Sequence, residues 1–202
     1  PAEARRFLDA ARGNRLEALY RVALSLGLRQ GEILGLQWAD VDLDAGTLAV
    51  RRQLQRVDGA FRLMELKTAQ SRRTLALPAA LLAALREHRR RQLEERLLAG
   101  ERWRGAAWDL VFCTRYGTPL DARNLVIYFK ALLTRAGLPD IRFHDLRHSC
   151  ISLLAAQGVS DRVAMEIAGH SQISLTKNIY THVYDEAKRQ AAEAMDRLLG
   201  DA

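Results

Sequence analysis

A mostly helical α+β domain with a small three-stranded antiparallel sheet is the fold class this sequence predicts. Apolar residues recur at helical spacing along most of the chain. Between Thr47 and Leu77 the period shortens to that of strands, around an Asp58-Gly59 hairpin signal. A chain of 202 residues, 49% apolar and 27% charged, can bury a sizeable core, so 1–202 is read as one domain.

The elements follow in order. Glu3 to Arg12 sets Phe7 and Leu8 against charged neighbours and reads as a helix. Asn14 can cap a second helix, carrying Leu16, Leu19, Tyr20, Ala23 and Leu24 and ended by Gly27. A short helix runs from Gln30 to Leu36, before a loop from Trp38 to Asp42. Three short antiparallel strands are expected: Thr47 through Val57, the far side of the turn with Phe61 and Leu63, and Arg73 to Leu77. Pro78 suits the first position of a helix reaching Ala99, whose charged run Arg86–Arg91 reads as a solvated face. Asp109–Cys113 is a buried extended piece, and Asp121 caps a helix through Arg135, ended by Gly137. The last third reads as helices near His144–Gln157, Ser160–Ala168, Ser174–Val183 and Asp185–Leu199.

Charge narrows the function. Lys plus Arg exceeds Asp plus Glu, 31 to 24, for a net +7, and a basic globular domain suggests a polyanionic partner such as nucleic acid. Of the basic residues 27 are Arg and only four are Lys: Lys67, Lys130, Lys177 and Lys188. Any Lys kept in such a chain is a candidate for a task Arg does poorly, such as losing a proton. Cys113 and Cys150 lie far apart without a CxxC pattern, which fits reduced thiols in a cytoplasmic protein. No apolar run approaches the ~18–20 residues of a membrane span, and no leader peptide is evident. The start at Pro1 rather than Met suggests a piece of a longer protein.

Several side chains can carry chemistry. In His144-Asp145-Leu146-Arg147-His148, His144 and Arg147 share one face at a helix start, where free N–H groups favour an anion. The spacing of His144 and His148, with His170 as a third ligand, also allows a metal reading. Asp145 in place of Glu, and the Arg147 guanidinium between the histidines, count against it. Gly169 ends a helix and lets His170 project into a cavity; Tyr180, ten residues on, is a candidate nucleophile or an ordinary core tyrosine. Its phenol, with a pKa of about 10, needs nearby cations to react as an anion. Arg29 sits in a break flanked by Gly27 and Gly31, with Glu32 placed to orient it or a pocket histidine, or to form a plain surface ion pair. Lys67, at a strand end before a turn, is the only Lys in the first 129 residues and a candidate general acid.

Together these segments resemble the tyrosine recombinases, or phage-type integrases. The resemblance spans nearly the whole chain and rests on an ordered set: Gly-Leu-Arg-Gln-Gly-Glu (27–32), Lys-Thr-x-x-Ser-x-Arg (67–73), His-Asp-Leu-Arg-His (144–148), Gly-His (169–170) and Tyr-x-His (180–182). It implies a tyrosine-recombinase catalytic domain whose N-terminal, helical core-binding domain lies outside this chain. It implies that Tyr180 attacks the scissile phosphodiester to give a 3′-phosphotyrosyl link and a free 5′-hydroxyl. Arg29 and Arg147 would clamp the non-bridging oxygens, Lys67 would protonate the leaving oxygen, and His144 would act as acid and base. His170 would donate to the phosphate and Glu32 would support the pocket. Neither metal, ATP nor another cofactor is implied.

The partner implied is double-stranded DNA, handled by a homotetramer on two duplexes when full-length, with the isolated domain a monomer. The location implied is the cytoplasm, at the nucleoid when DNA-bound. Ala168, Ser149 and Leu175 depart from the commoner residues at their positions, without removing a reactive group. The last helix, with Ala187, Ala191, Ala194, Met195, Leu198 and Leu199 at packing spacing, could dock on a neighbouring protomer or on its own domain. A type IB topoisomerase-like nicking-closing enzyme would share the active site, and a catalytically silent DNA-binding module would not need it intact.

Overall fold

The structure is a computed structural model. It describes residues 1–66, 71–169 and 181–200, with 181–188 described by backbone alone. Helix α2 (Glu17–Leu26) forms its centre, with every residue from Ala18 to Leu26 buried. Around it pack α1 (Ala2–Ala11), α3 (Gln30–Leu34), α4 (Ala79–Ala99), α6 (Asp145–Ala156) and α8 (Thr181–Leu199). α5 (Ala122–Arg135) leans on α1 and α3, and α7 (Asp161–Ala168) joins α6 to α8.

Most expected helix signals act where they occur, but Asn14 accepts from the Leu16 amide (2.8 Å) ahead of α2, whose N-cap is Leu16. Gly27 takes the left-handed conformation (φ 59°) that ends α2. Asp121 accepts a hydrogen bond from the Arg123 amide (2.8 Å) at the start of α5. Pro78 stands just before α4, as the N-cap rather than the first helical residue. Aromatic residues are few, yet four of them lock α1, α2 and α5 to the loop before α6. Phe7 meets Tyr20 (5.4 Å) and Phe129 (5.6 Å) edge-on, and Phe129 meets Phe143 (5.4 Å) in the same way.

The strands divide differently from the expected three. Among the described residues there are five, in two sheets. β1 (Val41–Asp42), β2 (Thr47–Val50) and β5 (Arg73–Ala76) form a three-stranded antiparallel sheet, with Leu48 opposite Leu75. β3 (Arg52–Val57) and β4 (Ala60–Glu65) form a separate hairpin, with Leu54 opposite Leu63. Its turn has positive φ at both Asp58 (51°) and Gly59 (77°), the geometry that Asp-Gly favours.

The run expected to continue from Thr47 to Val57 is interrupted at Arg51, because β3 leaves the sheet and lies against the end of α3. A Cβ on Gly35 would fall 2.7 Å from the Leu54 nitrogen and 2.8 Å from the Gln53 carbonyl carbon, so only glycine permits that approach. Ion pairs hold the hairpin at both ends: Arg52 to Asp40 (3.4 Å) and Arg56 to Asp121 (2.9 Å).

The Asp109–Cys113 segment is buried from Leu110 onward and is fastened by α4. The Gln92 amide donates to the carbonyls of Leu110 and Val111 (3.0 Å each), and His88 Nε2 donates to Val111 O (2.7 Å). His88 and Gln92 are therefore buried within or beside a run whose exposed members, such as Arg90, pair with Glu87 along the surface. Cys113 and Cys150 are buried and free.

α8 is continuous from Thr181 to Leu199, without the expected break near Val183–Asp185; the helix expected from Ser174 falls largely outside the described residues. Ala191, Ala194, Met195, Leu198 and Leu199 are buried against the same chain. Asp196 accepts from the Ala80 amide (2.9 Å), supplying the N-terminal cap that α4 itself lacks. From residue 191 onward, then, the last helix packs on its own domain. No helix among the described residues is long and apolar enough to cross a membrane.

Phe129 is fully buried and touches aromatic rings from three other segments. Phe129→Ala is expected to lower the unfolding free energy by about 3–5 kcal/mol, measured by urea titration followed through the far-UV signal.

Candidate active site

The site is built where α2 ends and α3 begins. The left-handed Gly27 turns the chain so that Arg29 becomes the N-cap of α3, three residues before Glu32. The Glu32 carboxylate accepts from the Arg29 amide (2.9 Å) and from Arg29 Nη1 (2.9 Å). Its second oxygen also accepts from Arg73 Nη2 (3.2 Å), reaching in from β5. Glu32 is 1% exposed. Burial alone would raise its pKa, but Arg73, the Arg29 amide and the Arg29 charge outweigh that and hold it below the usual carboxylate range.

Three guanidinium groups then meet the C-terminal end of α7. Arg73 donates through Nε to Ile167 O (2.7 Å) and through Nη2 to Ala168 O (3.1 Å). Arg147, from the first turn of α6, donates through Nη1 to Gly27 O (2.7 Å) and to Ala168 O. Arg29 donates through Nη2 to Gly169 O (2.9 Å). Carbonyls at a helix C-terminus carry partial negative charge, so they suit cations. Gly169 has φ 77°, and a Cβ there would fall 2.6 Å from Arg73 Nη1. Glycine at this position thus serves both the turn and the contact with the guanidinium.

Three cations around one carboxylate leave a surplus of two positive charges. Burial, and next the charge of Arg29, lower the Arg147 pKa to about 10, leaving it protonated at neutral pH. Arg147 Nη2 is buried and has no hydrogen-bond partner among the described residues. Arg29 keeps 40% of its side chain exposed. One cation is thus unsatisfied within, another is open to solvent, and the local charge favours an anion.

His144 is the N-cap of α6 and stands edge-on to His148, with ring centroids 5.3 Å apart. Partial burial, then the charges of His148 and Arg147, lower its pKa and favour a neutral ring at neutral pH. Asp145 is committed to Arg142 (2.9 Å). No group of three metal-ligating side chains is found among the described residues. The Cys150 thiol, buried beneath the site, is raised to about 12 by that burial, which the charge of Arg147 offsets only in part.

Of the residues singled out in the sequence, Arg29, Glu32 and Arg147 come together, and His144 lies one helical turn from Arg147. Lys67, His170 and Tyr180 lie outside the described residues. Arg73 reads in the sequence as a strand residue, and its pattern there does not announce its part in the site. The one available signal was its place at the end of the Lys-Thr-x-x-Ser-x-Arg segment.

The family model described as Phage integrase matches residues 1–187. A protein named tyrosine recombinase XerC-like from Caldanaerobacter subterraneus subsp. tengcongensis is 39% identical, across 97% of this chain and 53% of its own. The ICEBs1 integrase of Bacillus subtilis (strain 168) is 30% identical, across 98% of this chain and 54% of its own. Among solved structures, the Tn1549 transposon integrase in complex with transposon right end DNA superposes with a TM-score of 0.71 at 25% identity, covering 98% of this chain and 64% of that one. The XerA recombinase superposes with a TM-score of 0.68 at 24% identity, covering all of this chain and 64% of that one, a likeness of fold. The chain spans about half the length of the curated relatives it matches.

Removing the shared counter-charge should be costly. Glu32→Gln is expected to destabilise the domain by about 3–5 kcal/mol at neutral pH, since it leaves buried cations without their partner. The native Glu32 pKa is depressed, so its contribution is complete above the ordinary value of about 4.3 and disappears as pH falls through the native one. Urea titrations between pH 7 and pH 3 should therefore show a shallower acid loss in Glu32→Gln than in the wild type.

Proposed function

Since this chain belongs to the phage integrase family, we propose that residues 1–202 are the catalytic domain of a tyrosine-type site-specific DNA recombinase. The observation that supports this most is the cationic pocket around Glu32. There Arg147 Nη2 is buried without a partner among the described residues, and Arg29 stands half-open to solvent. A phosphodiester carries two non-bridging oxygens, which planar guanidinium forks match better than ammonium groups do.

On this reading the Tyr180 oxygen attacks the scissile phosphorus while the bond to the 5′-oxygen breaks. The phenolic proton passes to the neutral His144 ring, and Lys67 protonates the departing 5′-oxygen. Arg29 and Arg147 stabilise the charge gathering on the non-bridging oxygens, with His170 as a further donor. The product is a 3′-phosphotyrosyl bond and a free 5′-hydroxyl. A 5′-hydroxyl from a second strand then attacks the phosphorus and gives its proton to Lys67, while the bond to Tyr180 breaks and the phenol takes back its proton from His144. One phosphodiester is exchanged for another through a phosphotyrosyl ester, so no ATP is consumed.

The remaining assignments belong to the same proposal. Double-stranded DNA is the partner, the whole protein works as a homotetramer on two duplexes, and it resides in the cytoplasm. The net charge of +7 supports a DNA partner.

The test is a nicked suicide duplex of randomised core sequence, mixed with the full-length protein in EDTA. A denaturation-resistant adduct mapping to Tyr180, and absent from Tyr180→Phe, is the expected outcome. Arg29→Ala and Arg147→Lys should slow adduct formation on the order of 10²–10³-fold while still binding DNA. Near wild-type cleavage in either variant would overturn the assignment of the clamp. Measurable DNA binding with no adduct would favour a silent binding module.

A further inference from the structure

The structure gives Arg73 a role that the proposed chemistry leaves unassigned. Its side chain is 6% exposed, too enclosed to be offered to a ligand. Its donors are engaged: Nε with Ile167 O (2.7 Å), Nη1 with Ser71 O (3.1 Å), and Nη2 with both Glu32 (3.2 Å) and Ala168 O (3.1 Å). Each partner belongs to a different part of the site. Glu32 orients Arg29, Ser71 borders the segment that carries Lys67, and Ile167 and Ala168 form the end of α7, directly before Gly169 and His170. Arg73 also shares Ala168 O with Arg147, and a Cβ on Gly169 would fall 2.6 Å from its Nη1.

We propose that Arg73 is a positioning residue that holds the Arg29 fork, through Glu32, in register with Arg147 and the end of α7, so that the two forks grip one phosphate. This rests on the recombinase reading of the pocket. The role needs a planar fork. A lysine here keeps the charge beside Glu32, but its single ammonium cannot span the carboxylate and the successive carbonyls of Ile167 and Ala168. With that brace gone, Arg29 and the end of α7 can shift relative to Arg147. A misplacement near 1 Å is enough to lose about 100-fold in rate.

The test uses the full-length protein, wild type and Arg73→Lys, on two suicide duplexes. One carries the ordinary scissile phosphate. The other carries a methylphosphonate there, in which a methyl group replaces one charged non-bridging oxygen. Thermal melts and DNA-binding titrations accompany the single-turnover rates. Arg73→Lys should fold and bind DNA like the wild type. Its Tyr180 adduct should form on the order of 100-fold more slowly on the phosphodiester. On the methylphosphonate, where less charge gathers for the clamp to hold, the two proteins should agree to within a few-fold. An equal loss on both substrates would mark a general structural defect and overturn the inference, as would wild-type rates on the phosphodiester. If the wild type forms no adduct on either substrate, the recombinase reading fails and this inference falls with it. If the wild type reacts and the variant departs from the expected pattern, only the inference falls.

Discussion

One buried carboxylate makes the rest of this structure possible. Arg29, Arg73 and Arg147 approach one another at the meeting point of α2, α3, α6 and α7, an arrangement that mutual repulsion would otherwise prevent. Glu32 neutralises part of that charge, and the carbonyls of Gly27, Ile167, Ala168 and Gly169 supply much of the remaining stabilisation. Two glycines in left-handed conformation, Gly27 and Gly169, turn their carbonyls toward the arginines where the helices end.

This arrangement separates two tasks that arginine can perform. Arg73 is spent inside the protein, with its donors consumed by neighbouring elements. Arg29 uses part of its fork to join Glu32 and Gly169, while a large share of its side chain faces outward. Arg147 lies between these cases, anchored through Nη1 and, among the described residues, without a partner at Nη2. The gradient from fully engaged to partly open gives the pocket a rigid base and a receptive mouth. Rigidity matters because a site that must not reorganise during reaction stabilises charge better than a flexible one.

Much of this was legible in the sequence where the cause was local. Gly27, Asp121, Gly137 and Gly169 act within a few residues of themselves, and the helices they bound lie close to where apolar spacing put them. The Arg29–Glu32 pair is also local, three residues apart. What escaped depends on distant segments. The strand divides at Arg51 because Gly35, on another element, lets β3 come close. His88 reads as part of a charged run and is drawn inward by the Val111 carbonyl, 23 residues away. Arg73 reads as an alternating strand residue, and its burial follows from α7, more than 90 residues later. Single-sequence patterns report which face of an element is apolar, not which buried cation will find a carbonyl.

The separate attachment of the β3–β4 hairpin has a consequence for how the protein meets changing solution conditions. Its base is held by the backbone approach at Gly35 and by the Leu66-to-Arg51 hydrogen bond (3.0 Å), beside the Arg52 pair with the buried Asp40 (3.4 Å). Its tip is held by Arg56, which reaches Asp121 across the surface and remains 58% exposed. Exposed pairs of this kind contribute about 0–1 kcal/mol and fade as the Debye length shrinks from about 10 Å at 0.1 M toward 3 Å at 1 M ionic strength. Added salt therefore weakens one tie at the tip, while Leu54, Phe61 and Leu63 keep the hairpin's inner face on the core. The hairpin is thus seated mainly by apolar contact, and the electrolyte acts only on its outermost polar tie.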